Sequence, residues 1–179
     1  MDTTASDVIT FWREAGPGRW FRKDDAFDTA FRQRFEAAHE AAASGALADW
    51  ADTADGALAL LILLDQFPRN AFRNSPRMFA TDPQAVAIAD KAIHAGFDLA
   101  VDPALRAFFY MPFMHSERLL DQQRCVTLST PIGGGTLDYA RIHLEAIERF
   151  GRFPHRNALL GRTTTPEEQH YLDSGGFKG

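Results

Sequence analysis

The chain has one cysteine in 179 residues, Cys125, and that scarcity removes two classes of construction at once. A lone thiol closes no internal disulfide framework and supplies no thiolate cluster for zinc, which agrees with a reducing compartment and makes the cytoplasm the expected location. Long apolar runs are also scarce. The greasiest stretch, "ALALLILL" at 57–64, falls far short of the roughly 20 residues that span a bilayer. It reads as a buried helix, and no membrane partner is expected. The opening "MDTTASDVITFWREAG" carries an early acid and no apolar h-region, so it does not read as a secretory signal. Positive charge is short as well. Nineteen Lys and Arg stand against 24 Asp and Glu, for a net charge of −5 and a pI near 5.6. Duplex nucleic acid asks for a broad basic footprint, so no nucleic-acid partner is expected.

What is present is ordinary globular material, 45% apolar and 24% charged, in a length that fits one domain over residues 1–179 and buries a core without staples. Apolar residues recur at three and four spacing, as in Val8, Phe11, Trp12; Phe27, Phe31, Phe35; Leu58, Leu61, Ile62; and Val86, Ala89, Ile93. No strand-like alternation competes, so the fold class is all-α. The punctuation "GPGR", "SG", "NSP", "AGFD" and "TPIGGG" divides the chain into a bundle of about seven or more helices. In "TDPQ" at 81–84 the sequence predicts Asp82 as an N-cap before Pro83. In "TPEE" it predicts Thr165 as the cap, with Glu168 completing a capping box. "TPIGGG" reads as a surface connection.

One device occurs twice. "DQFPRNAFR" at 65–73 is echoed by "GRFPHRNALLGR" at 151–162, and each follows an apolar helix. A residue before proline is pushed away from the α region, so Phe67 and Phe153 are predicted to turn inward where the chain ends or bends a core helix. A third segment, "FFYMPFMHSERLLDQQR" at 108–124, sets His115, Ser116 and Glu117 just after Pro112. Joined together, the three segments describe a pocket. Asp65, Gln66, Arg69, Asn70, Ser116, Arg152, Arg156 and Asn157 would bind a ligand, with His115, His155 and Glu117 as the acid/base group. Guanidinium forks suit a carboxylate or phosphate, a histidine titrates near neutrality, and a carboxylate orients it. The same residues also make a structural network in which Asp65 and Glu117 neutralise Arg69 and Arg156 across helix ends.

Other chemistries find less support. Glu36 with His39 and Glu167 with His170 show the Glu-x-x-His spacing of di-iron bundles, but no pair of additional glutamates is marked, and no metal or other cofactor is expected. Ser116 lies in no nucleophile elbow. "IGGGT" lacks the flanking strand and Lys of a phosphate loop. "GRWFRKDDAFD" at 18–28 reads as an aromatic surface with a solvated basic rim.

The segments "WF" at 20–21, "LLDQFPRNAFR" at 63–73, "YMPFMHSE" at 110–117 and "RFGRFPHRNALLGR" at 149–162 with the following "TPEE" resemble those of the bacterial domain-of-unknown-function 924 family nearly end to end. The resemblance implies an all-α fold with tetratricopeptide-like helical stacking, and it implies no activity. The chain departs from the family pattern around "STPIGGGTLDYARIHLEAIE", where His143 stands in the place of a histidine on a more charged helix. No 34-residue repeat consensus is legible.

Two functional readings follow. In the first, a helical protein binds a small anionic molecule, with or without acid/base turnover, in the His, Arg, Asn and carboxylate pocket. In the second, it is an interaction scaffold whose polar cluster is purely structural. The sequence leaves the oligomeric state open.

Overall fold

The computed structural model describes residues 3–179, and these are helical with no strand among them. The chain divides into two compact units, with the boundary after Pro112. Among the described residues no helix is long and apolar enough to cross a membrane.

The first unit begins with α1 (Ala5–Ala15), α2 (Pro17–Trp20) and α3 (Asp25–Ala43). Thr4 starts α1 through a reciprocal capping box with Asp7, and Asp24 starts α3 by accepting from the amides of Ala26 and Phe27. Four-residue spacing puts Phe27, Phe31 and Phe35 on one stripe of α3, where they meet Phe11 and Trp12 of α1. Trp20 closes over this layer, and its indole N–H donates to the Trp12 carbonyl at 2.7 Å, so the buried ring leaves no stranded donor.

α4 (Ala54–Leu61) is buried along nearly its whole length. At Gly56 an added Cβ would lie 2.1 Å from the Trp50 carbonyl oxygen, so only glycine lets the helix lie this close. The helix then widens into a π turn, Ile62–Gln66, and continues as α5 (Phe67–Ala71). Phe67 is indeed buried, but its φ and ψ of −54° and −49° are helical, so it is not pushed out of the α region as a residue before proline is expected to be. The π turn is the reason. The Phe67 amide reaches back to the Ile62 carbonyl, five residues away, and the widened turn accommodates the Pro68 ring. Pro68 has no N–H to offer the preceding turn. The Leu63 and Leu64 carbonyls there accept instead from His39 Nδ1–H, at 2.9 Å, and from the Thr81 hydroxyl.

α6 (Asp82–His94) and α7 (Phe97–Ala100) follow. α6 turns Ala85, Ala89 and Ala92 inward, while Val86 and Ile93 are only half-buried, so small residues form its packed face. Asp82 is the first helical residue and not the cap. Its carboxylate is taken by Arg69, and Thr81 occupies the cap position without a side-chain capping bond.

After α8 (Met111–His115) the second unit consists of α9 (Leu119–Ser129), α10 (Gly134–Phe150), a 3-10 turn at Pro154–Arg156 and α11 (Pro166–Asp173). α10 packs back along α9 and buries Ala140, His143, Ala146 and Ile147, again at three and four spacing. Gly151, at φ +67°, ends α10 in the left-handed conformation. Phe153 is buried and extended, at φ −89° and ψ 108°, as expected for a residue before proline. Thr165 and Glu168 form the expected capping box of α11.

Phe31 is fully buried among five aromatic rings whose centroids lie within 6 Å of its own. Phe31→Ala is expected to cost about 3–5 kcal/mol, read as a lower urea midpoint with an unchanged slope. Leu99→Ala, at a position 66% exposed, should stay within about 0.5 kcal/mol of the parent.

Candidate functional site

In the first unit the expected ligand residues are occupied with one another. Arg69 directs its fork at Asp82, at 2.9 and 3.0 Å, and its Nη1 also meets the Asp65 carbonyl at 2.8 Å and carboxylate at 3.2 Å. Burial works against this charge, but Asp65 and Asp82 more than restore it, and the guanidinium pKa rises. Gln66 Nε2 donates to Asp65 at 2.6 Å, and Asn70 Nδ2 donates to the Gln66 carbonyl at 3.0 Å. Arg73 completes the set by reaching Asn70 and Asp28. Asp28, Arg73 and Asp82 were not among the sequence candidates.

The second unit contains two carboxylate clamps. Glu117 takes Arg162 on both oxygens at 2.8 Å and accepts the Phe153 amide at 2.8 Å. Burial raises its pKa, and these donors outweigh that, so it stays below the usual range. Arg162 holds Glu117 by this bidentate bond, and the charge of Arg156 also helps to keep the carboxylate ionised, as the sequence reading expects. Glu168 accepts from Arg152 at 2.6 and 2.9 Å, from Asn157 at 3.2 Å and from the Thr165 amide at 2.8 Å. Arg152 foremost holds it down to about 2. Ser116 donates to Asp121 at 2.6 Å. Gln122, fully buried, gathers the carbonyls of Phe113, Met114 and Ser116 and so fixes the turn that carries His115.

These ties frame a different group. His115, His143 and His155 collect with Arg156 around the rings of Phe153 and Phe177. The His115 and His143 ring centroids are 6.1 Å apart, His143 lies 5.5 Å from Phe153, and His155 lies 5.6 Å from Phe153. Phe177 reaches His143 at 4.2 Å and His155 at 5.0 Å. Arg156 donates to the His115 carbonyl at 2.9 Å and lays its guanidinium over Phe153, 4.5 Å from the ring centre. His143 Nδ1 lies 2.7 Å from the Tyr139 carbonyl, which only accepts, so Nδ1 carries the proton. Burial first, then the charges of His115, Arg156 and His155, push the His143 pKa down to about 3. His143 is therefore neutral at ordinary pH, and His115 and His155 beside it are half-buried.

Of the sequence candidates, then, the structure brings His115, His155 and Arg156 together, and it adds His143 and Phe177. It places Glu117, Ser116, Arg152 and Asn157 in the surrounding ties. His143 was legible as a histidine on an apolar stripe at helical spacing, whereas nothing local marks Phe177 or Arg162. Among the described residues no group of His, Cys, Asp and Glu is arranged to hold a metal ion. Glu36 pairs with Arg32, Glu167 pairs with Arg149, and His39 bonds Leu63. A surface cleft of about 280 Å³ belongs to the first unit, where Phe11, Glu14, Arg19 and Phe27 are among the residues lining it.

The shifted groups set the acid response. Glu168 has a lowered folded pKa, so its contribution is full above the ordinary 4.5 and is lost as pH falls toward about 2. Glu168→Gln should remove that part of the acid limb and lower the urea midpoint at neutral pH, because it takes the carboxylate away from the Arg152 fork. His143 acts in the same direction at higher pH. Its unfolded form takes a proton near 6.5 and its folded form only near 3, so stability falls as pH drops through that window. Urea titrations of His143→Gln at pH 7 and pH 5 should show a smaller difference than those of the parent.

A family model described as a bacterial protein of unknown function, DUF924, matches residues 8–176. A solved structure of a protein of unknown function, ATU0120 from Agrobacterium tumefaciens, is 53% identical, with a TM-score of 0.94 over 96% of this chain and 97% of that one. No curated protein matches the chain. The match extends from the core of α1 through α11 and includes both clamps and the histidine cluster, so the chain belongs to the DUF924 family of bacterial proteins of unknown function.

Proposed function

We propose that the second unit binds a small anionic molecule at His115, His143, His155 and Arg156. The observation that carries this reading is the gathering of three imidazoles and a guanidinium beside a buried aromatic wall, with His115, His155 and Arg156 each opposing a proton on His143. An anion would accept hydrogen bonds from imidazole N–H groups and from the guanidinium. His115 and His155 are the acid/base candidates if turnover occurs, and Arg156 supplies permanent charge. Glu117 and Arg152 hold the frame through Arg162 and Glu168, with Ser116 and Asn157 as lesser ties. A reducing cytoplasm suits the buried Cys125 thiol, which burial pushes up to about 11.

The scaffold reading draws on the first unit, where the forks of Arg69 and Arg73 are filled by Asp82 and Asp28. That favours a structural role for Asp65, Gln66, Arg69 and Asn70 and leaves the histidine cluster as the place for a ligand.

The test is a thermal titration of the parent and His155→Ala with inorganic phosphate and with citrate. At 100 times its dissociation constant a ligand adds about 2.7 kcal/mol, a rise of several degrees for a chain of this size. The expected outcome is a rise in the parent that His155→Ala loses while keeping its ligand-free melting temperature within about 2 °C. No rise with either anion, together with an early-melting His155→Ala, would transfer the cluster to the scaffold reading.

A further inference from the structure

We infer that the outer face of α10 docks antiparallel on the same face of a second copy of this chain, pairing Arg141 of each copy with Glu145 of the other around Ile142. The pairing stands apart from the histidine cluster, to which α10 contributes only the inward-facing His143.

α10 turns Ala140, His143, Ala146 and Ile147 inward. Successive helical residues turn by about 100°, so Asp138, Arg141, Ile142 and Glu145 share the side away from that core, and all four are exposed. Charges on a solvated helix face commonly pair three or four residues apart along the helix itself. Here they do not: among the described residues, the side chains of Asp138, Arg141, Glu145 and Glu148 make no hydrogen bond or ion pair. The order of the residues is one reason, since an arginine four places before a glutamate is the poorer arrangement on a helix. Apolar surface stands beside the charges, with Ile142 39% and Tyr139 57% exposed.

The charges are arranged to suit a copy of themselves. Along α10 they run acid, base, acid, base at Asp138, Arg141, Glu145 and Arg149. A second helix running the other way presents that order inverted, so each charge comes level with its opposite. Arg141 meets Glu145 of the second copy, and by two-fold symmetry Glu145 meets its Arg141. A parallel copy would set like against like. Ile142 lies beside the two-fold axis, so it meets Ile142 of the second copy and gives the pair an apolar centre. At the ends Asp138 comes level with Arg149, which Glu167 already holds at 3.3 Å, so the two central pairs carry the docking. Glu148 lies on the flank of the face nearest Arg141 and offers the second copy's guanidinium another acceptor. α10 has 17 residues and is about 25 Å long. One such helix against another is a small specific interface, and the expected dimer forms at micromolar concentrations.

Sedimentation velocity of the full chain, at concentrations up to about 200 μM, reads the association of the parent, Arg141→Glu, Glu145→Arg and an equimolar mixture of the two variants. Circular dichroism confirms folding. Each variant sets like charges against each other in its own dimer. In the mixture every central pair again unites opposite signs, because one variant is acidic at both positions and the other is basic at both. The expected result is a parent dimer, association weakened at least about tenfold in each variant alone, and recovery in the mixture. A parent that stays monomeric overturns the inference, and so does a parent dimer whose affinity either variant retains. Weakening in both variants without recovery in the mixture overturns the antiparallel pairing. Should a single variant fail to fold, the double variant R141E/E145R, which exchanges the two charges within one chain, decides in its place: a dimer upholds the pairing and a monomer overturns it.

Discussion

Glu168 is almost wholly buried, stays ionised, and is reached by a guanidinium, a side-chain amide and a backbone amide from three stretches of the second unit. A carboxylate in that position would be costly without donors, so its burial constrains where those stretches run. Arg152 follows directly on the glycine that ends α10, Asn157 follows the 3-10 turn, and Thr165 opens α11. Holding all three to one carboxylate fixes the path between α10 and α11. His155 and Arg156 lie on that path. The Glu117 clamp anchors the same path again through the Phe153 amide, so the histidine cluster is placed by neighbours that are themselves charged and satisfied.

The repeated Phe-Pro step shows how much a short motif can say. In both copies the phenylalanine is buried, as the sequence predicts from its place after an apolar helix. The backbone differs, however. Phe153 follows a left-handed glycine and takes the extended conformation that proline favours, whereas Phe67 follows a π turn and stays helical. A proline excludes one hydrogen bond and crowds one turn, but whether the chain breaks or widens depends on which distant groups can take the stranded carbonyls. His39 and Thr81 decide that for the first copy, and neither is visible from residues 65–73.

The same distinction governs what the sequence discloses about the site. The all-helical fold rests on periodicity, and the Thr165 cap rests on a four-residue pattern, so both are local and legible. Asp82 has the local signature of a cap but is drawn to Arg69, because a bidentate guanidinium holds a carboxylate more strongly than a capping amide does. His115, His155 and Arg156 were identifiable as unusual polar residues in apolar surroundings. The contacts that surround them were not, since Glu117 to Arg162 and His143 to Phe177 span long stretches of chain, and residue type does not encode which charge meets which.

The stranded carbonyls beside Pro68 have a further consequence. Helices packed only through apolar side chains can slip by a turn, about 5.4 Å, and recover similar contacts, because hydrocarbon surfaces are poor at counting. A buried carbonyl that needs one specific donor is not so forgiving. Leu63 meets a histidine from α3, and Leu64 meets a threonine at the entrance to α6. The flaw that proline introduces into the central helix therefore serves as an index mark, setting the registration of two neighbouring helices against it.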